Sequence, residues 1–165
     1  MVLFLNKFNL LFIIERLPLK DNFNINIKLL SEFGKIPTKS HPNDIGYDLY
    51  SDCSIQLEAQ KVTLVTLGIA IELPDNIGGF VLPRSGLSSK HLITPINSPG
   101  LIDPGYRGEL KVPLMNYSNS VYTIELNERI AQLVLIKTEN LSFQEVTELQ
   151  DSERSDGGFG STGKN

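Results

Sequence analysis

Four short segments bring together residue types that can act on a phosphate-bearing ligand. In Asn97–Glu109 (NSPGLIDPGYRGE), Pro and Gly recur at turn positions and set Asp103 and Tyr106 beside the apolar pair Leu101 and Ile102. A carboxylate held at such a turn can accept a proton from water as a general base. Asp-Pro-Gly is also a common turn former with no chemistry attached. In Leu82–His91 (LPRSGLSSKH), Arg84, Ser85 and Gly86 present a guanidinium, a hydroxyl and a position without Cβ together, which suits an oligophosphate grip. An ordinary turn leading into one helical turn would use the same residues. In His41–Ser51 (HPNDIGYDLYS), Asp44 and Asp48 are candidate partners of Mg2+, which keeps several waters and needs only one or two carboxylates plus substrate phosphates. Either aspartate would serve equally as a turn cap.

The fourth segment, Gly158–Lys164 (GFGSTGK), matches the phosphate-loop pattern GxxxxGK as far as its lysine. A working loop needs a preceding strand, a Ser or Thr after the lysine and a helix whose N-terminus faces the phosphates. Here Asn165 follows Lys164, so that reading is rejected. The local chemistry survives the rejection. Glycines let backbone N–H groups approach phosphate oxygens, Ser161 and Thr162 add hydroxyls, and Arg154 adds a fork-shaped cation. Phe159, an aromatic among glycines, makes sense as a stacking lid. His41 and His91 have no spacing that suggests metal ligation, no Ser-His-Asp arrangement is legible, and both histidines read as incidental.

The elements that must hold these residues are short strands. From Asn24 onward, brief apolar runs are cut at close intervals by Pro, Gly, Asn and Asp, and helical periodicity is scarce. Ile25, Ile27 and Leu29 alternate with polar neighbours, which predicts a strand with one buried face. Lys61–Leu73 (KVTLVTLGIAIEL) predicts two strand segments with a bulge or bend at Gly68. Leu110–Met115, Val121–Leu126 and Ile130–Ile136 supply further strands, separated by turns at Asn116–Asn119 and Asn127–Arg129. This spacing predicts an all-β chain, a distorted jelly roll or β-barrel rather than βαβ units, with one short helical segment. From Asp151 the chain is almost wholly Ser, Gly, Asp and Arg, a composition expected to stay mobile until a ligand or partner holds it.

Composition narrows the partners. The 165 residues suit one domain, and a 41% apolar content suffices for a modest core. A formal charge of −4 gives no footprint for nucleic acid or for an anionic membrane surface, so a phosphate ligand must be held by a few placed cations. The single cysteine, Cys53, excludes an intrachain disulfide and a Cys-based zinc site and fits a reducing compartment, with the cytoplasm expected, or the nucleus in a eukaryotic or viral setting. The run Val2–Ile14 (VLFLNKFNLLFII) is too short and too interrupted to span a bilayer, which takes roughly 20 apolar residues, and it lacks the flanks of a secretory signal. Residues 1–23 therefore read as a leader, with a dispensable segment, an added surface element and a targeting role all open. Residues 24–150 read as the β domain, and 151–165 as a C-terminal arm.

Taken in order, five segments resemble the five motifs of the trimeric dUTPase family: Ile45–Ser51 (IGYDLYS), Pro83–Leu87 (PRSGL), Gly100–Gly108 (GLIDPGYRG), Arg129–Leu133 (RIAQL) and Gly157–Gly163 (GGFGSTG) with Arg154 ahead of it. The resemblance covers residues 24–165 and implies hydrolysis of dUTP to dUMP and pyrophosphate. It implies that Asp103 activates the attacking water and contacts the 3′-hydroxyl. Tyr106 would lie against the sugar and leave no room for a 2′-hydroxyl. Asn97, Gly100, Leu101 and Ile102 would pair with uracil in a hairpin too tight for a 5-methyl group. By the same resemblance Arg84, Ser85, Gly86 and Gln132 would grip the phosphates, and Asp48 would hold Mg2+ through its waters. Arg154, Phe159, Gly160, Ser161 and Thr162 would close over the nucleotide. Sites of this family are shared between subunits, which implies a homotrimer.

Two departures from the family pattern stand out. Pro104-Gly105 replaces the more usual polar residue and acid, and Ser155 replaces a glycine. Asp-Pro-Gly-aromatic is typical of the related dCTP deaminases, whose catalytic glutamate aligns with Pro113, a residue that cannot transfer a proton. A deaminase-related enzyme and a non-catalytic dUTP-sensing regulator are the alternatives.

Overall fold

The computed structural model describes residues 24–152. The leader and the arm residues Arg154, Phe159, Gly160, Ser161 and Thr162 lie outside them. The described part is mainly β, as its alternating apolar runs predict, with eleven strands and one helix. In chain order these are β1 (Asn26–Leu29), β2 (Tyr47–Tyr50), β3 (Ile55–Leu57), β4 (Val62–Thr66), β5 (Ile69–Glu72), β6 (Ile77–Leu82), α1 (Ser85–His91), β7 (Ile93–Pro95), β8 (Gly100–Ile102), β9 (Lys111–Asn116), β10 (Tyr122–Ile124) and β11 (Arg129–Lys137).

Every strand pairing is antiparallel, and four small sheets result: β1-β5, β10-β3, β2-β11-β6-β8 and β4-β9-β7. Leu49, Leu57, Val65, Ile93, Val112, Leu114, Ile124 and Ile130 form the driest part of one shared core. Each such side chain contributes about 1.5–3 kcal/mol when fully withdrawn from water. β11 is the longest strand and the organising one. Its Gln132 stands directly opposite Asp48 of β2 on one side and Leu82 of β6 on the other, so three candidate segments meet at one sheet position.

Gly68 separates β4 from β5 with φ of 61°, a left-handed conformation that favours glycine. A Cβ there would lie 2.3 Å from Ser31 Oγ, so the expected bend is also a close approach. Two expectations are corrected. Leu29 is 51% exposed because only Ile25 and Ile27 of the β1 segment face the core. Asn116 belongs to the end of β9 rather than to a surface turn, and it is wholly buried. Its Nδ2 donates to the carbonyls of Leu57 and Ser120, and its Oδ1 accepts from the Ser118 N–H and hydroxyl. A short polar side chain that satisfies four groups in this way pins the 116–120 turn onto β3.

Candidate active site

The first of two cavities forms where β8 pairs with β6, in the register Gly79 to Ile102, Phe80 to Leu101 and Val81 to Gly100. It holds about 210 Å³ and is lined by Asn97, Gly100, Leu101, Ile102, Asp103 and Tyr106, with Pro113 of β9 on its wall. Strand alternation buries Ile102 and leaves Leu101 63% exposed at the rim. The chain then turns, with the Tyr106 N–H donating to the Asp103 carbonyl over 3.1 Å, as Asp-Pro-Gly-Tyr favours. Asp103 is exposed, and among the described residues its carboxylate takes no hydrogen bond. It is therefore available to a water or a ligand.

Tyr106 folds back over Gly108, where a Cβ would stand 2.5 Å from the phenol oxygen and 2.7 Å from Cζ. Glycine is required there by close approach. The phenol donates to the Glu109 carbonyl over 2.9 Å, which fixes the ring at the cavity edge. Arg107 braces the same turn. Its Nη1 donates to the Pro104 and Tyr106 carbonyls, and its Nη2 pairs with Glu72 of β5 at 3.3 Å.

The second cavity holds about 180 Å³ and is lined by Asp48, Arg84, Ser85, Gly86 and Gln132, together with Ser40, Asp44 and Gly46. Asp48 is its hub and is only 8% exposed. Arg84 Nε lies 3.1 Å from one carboxylate oxygen, while Arg129 Nη1 lies 3.1 Å from the other, which also accepts from Ser40 Oγ at 3.2 Å. Arg84 Nη1 further donates to the Arg129 carbonyl over 3.0 Å. Two guanidinium groups share one carboxylate, and charge-assisted bonds of this kind fix the cations in place. Arg84 adopts an extended conformation at the start of α1 and makes no side-chain cap, since a guanidinium has no acceptor for the helix N–H groups, and its Nε donates to Asp48 instead. Gln132 is anchored by donation to the Pro83 carbonyl over 3.1 Å. Space beside Gly86 is open, with no described atom within 4 Å of where a Cβ would be.

Asp44 lines the same cavity and is held at its turn. Its carboxylate accepts from the His41 N–H over 2.8 Å while its own N–H donates to the His41 carbonyl, so it caps that turn. Among the described residues no cluster of three or more His, Cys, Asp and Glu is placed to enclose a metal ion. A hydrated Mg2+ that keeps several waters and binds substrate phosphates fits this donor set, in which Asp44 and Asp48 are the lining carboxylates. His41 lines neither cavity. His91 packs against Tyr122 with the rings tilted by 54° and their centroids 4.8 Å apart.

The two cavities share no lining residue. Each is smaller than the roughly 300–1,000 Å³ usual for a small-molecule site. Each is therefore suited to part of a ligand.

The model of the dUTPase family matches residues 32–163. The chain belongs to the dUTPase family. It is 43% identical over 141 residues to the deoxyuridine 5′-triphosphate nucleotidohydrolase of Clostridioides difficile, covering 86% of this chain and 99% of the relative. It is 45% identical over 148 residues to that of Cytophaga hutchinsonii, covering 88% and 96%. Among solved structures, the dUTPase of Staphylococcus bacteriophage 80alpha with dUpNHpp superimposes with a TM-score of 0.78 at 30% identity, covering 86% of this chain and 99% of that one. A mutant dUTPase from phage phi11 of S. aureus, whose structure describes coordination of a structural Mg(II) ion, superimposes with a TM-score of 0.72 at 25% identity, covering 78% and 100%. No helix among the described residues is long and apolar enough to cross a membrane.

Sequence reasoning missed Arg129, Ser40, Arg107 and Gly108 as parts of the dUTPase-family site. Arg129, Arg107 and Gly108 stand inside the recognised motifs, but nothing local shows that their partners are Asp48, Glu72 and Tyr106.

Proposed function

We propose that this chain hydrolyses dUTP to dUMP and pyrophosphate. The observation that carries the reading is the Asp103 carboxylate, exposed and without a hydrogen bond among the described residues, lining a cavity in a member of the dUTPase family. Uracil and deoxyribose enter the cavity beside Asn97 and β8, where the backbone of Gly100, Leu101 and Ile102 and the Asn97 amide read the base edge. The Tyr106 ring closes the sugar side against a 2′-hydroxyl. Arg84, Ser85, Gly86 and Gln132 bind the phosphates, Arg129 supports them through Asp48, and Arg154, Phe159, Gly160, Ser161 and Thr162 of the arm close over the nucleotide.

Asp103 takes a proton from water as the oxygen attacks the α-phosphorus. The bond to the bridging oxygen breaks, and pyrophosphate leaves with the electron pair. Catalysis rests on positioning and charge stabilisation, with no covalent intermediate. Mg2+, when bound with the triphosphate, neutralises charge on the phosphate oxygens. Pro113 on the cavity wall has no proton to transfer, which favours hydrolysis over deamination.

A homotrimer follows from the same reading. In that reading the nucleoside cavity of one subunit and the phosphate cavity of another complete a site together, and two cavities with no lining residue in common are compatible with such sharing. Residues 24–150 form the β domain and 151–165 the arm. The enzyme works on the nucleotide pool in the cytoplasm, on no nucleic acid and at no membrane.

Purified protein and Mg2+ incubated separately with dUTP, dCTP, dTTP and UTP, with products separated by chromatography, test the proposal. dUMP and pyrophosphate are expected from dUTP alone, and Asp103→Asn abolishes them while dUTP still binds. Binding of dUTP without turnover by the unaltered chain would replace hydrolysis with sensing, and dUMP formed from dCTP would restore deamination.

A further inference from the structure

The turn that carries Asp103 and Tyr106 is braced from a strand outside the recognised motifs. Arg107 Nη1 donates to the carbonyls of Pro104 and Tyr106, the two residues that flank Gly105 at the tip of the turn. Its Nη2 reaches Glu72 Oε1 at 3.3 Å, and Glu72 Oε2 accepts from Asn26 Nδ2 at 2.8 Å. Asn26 and Glu72 are direct cross-strand partners in the β1-β5 sheet, so their geometry is set by a backbone ladder. A cavity between these strands and Arg107 is lined by all three side chains. Asn26 lies ahead of residue 32, where the match to the family begins.

We infer that Asn26, Glu72 and Arg107 form a positioning relay that fixes the Asp103–Tyr106 turn relative to the β1-β5 sheet, and that it sets both the rate of the chemical step and the preference for deoxyribose. The planar guanidinium meets two carbonyls from one nitrogen and the carboxylate from another, a spread that a single-nitrogen ammonium does not reproduce. The Asn26 amide first, and then Arg107, hold the Glu72 carboxyl below its usual range. As an exposed ion pair the Arg107–Glu72 contact adds little to stability. Its effect falls on placement. A catalytic group displaced by about 1 Å can lose on the order of a hundredfold in rate, so a modest loosening of the turn is visible in kinetics well before it is visible in melting.

The inference rests on the dUTP reading above, and the experiment separates the two. Glu72→Ala, Asn26→Ala, Arg107→Lys and Glu72→Gln are compared with the unaltered chain for kcat and KM on dUTP, for kcat/KM on UTP, and for melting temperature. Glu72→Ala and Arg107→Lys are expected to lower kcat about tenfold with KM nearly unchanged, and to narrow the dUTP-over-UTP preference. Asn26→Ala should do the same to a smaller extent, and Glu72→Gln, which keeps an acceptor for Arg107, should recover most of the loss. Normal kcat and preference in Glu72→Ala would overturn the relay. So would a loss of activity that merely follows the melting temperature with the preference intact. If the unaltered chain fails to turn over dUTP, the hydrolase reading falls first and the relay with it.

Discussion

Arg129 reaches the oxygen of Asp48 that Arg84 leaves free, with Nη1 3.1 Å from Oδ2. The two residues lie 81 positions apart and meet because β11 pairs with β2. Arg129 thereby completes a frame in which Asp48 holds both arginines, one on each oxygen, and the Arg129 carbonyl receives Arg84 as well.

Removing that member should loosen the phosphate grip rather than the fold. Arg129→Ala is expected to raise KM for dUTP about tenfold, the equivalent of one charge-assisted hydrogen bond. The fall in kcat should be smaller. Steady-state kinetics at fixed Mg2+ checks this, and an unchanged KM would remove Arg129 from the grip.

Gly108 offers a different handle on specificity. An added Cβ would meet the Tyr106 ring, a side chain able to swing away, so the fold should survive. The ring would no longer guard the sugar. Gly108→Ala is expected to reduce the kcat/KM ratio of dUTP to UTP about tenfold or more. Retention of full discrimination would show that the ring does not depend on this seat.

Alkaline stability has a local source in Tyr122. Burial, and then the hydrogen bond to Glu128, push its phenol from 10.0 up to about 12. Because the folded value lies above the unfolded one, the stabilisation is fully present below pH 10.0 and is lost as the pH rises through about 12. Tyr122→Phe should therefore lose less of its melting temperature than the unaltered chain between these limits. Parallel melting curves for the two proteins would refute the assignment.

Asn116 is expected to dominate the stability of its region. Asn116→Ala removes the amide partner of the Leu57 carbonyl and of the Ser118 N–H, at roughly 1–3 kcal/mol for each group that water cannot reach, while the Ser120 carbonyl keeps the Ser118 hydroxyl. Urea denaturation should show a loss of at least about 2 kcal/mol, and a smaller change would mean that water enters freely in its place.

Much of this molecule is legible in its sequence, and what is not has a common cause. β-branched alternation marks β4, β5 and β11, and Gly68 marks the bend, because these signals are local. The turn holding Asp103 is legible for the same reason. Asn116 reads as a turn residue because its composition is that of a turn, and only the fold brings Leu57, 59 positions away, within reach of its amide. Leu29 reads as core because strand period says nothing about where a sheet ends. The partners of Arg129 and Arg107 are likewise decided by strand register, with Glu72 35 positions from the arginine it meets.

The two cavities have no lining residue in common, so each can be disabled by a substitution that leaves the other untouched. In an assembly that builds each site from neighbouring copies, a chain lacking Asp103 still carries an intact phosphate grip, and a chain lacking Arg84 still carries an intact base. Two lifeless preparations, unfolded together and renatured as a mixture, should then rescue each other, with about one site in four drawing both sound halves from different parents.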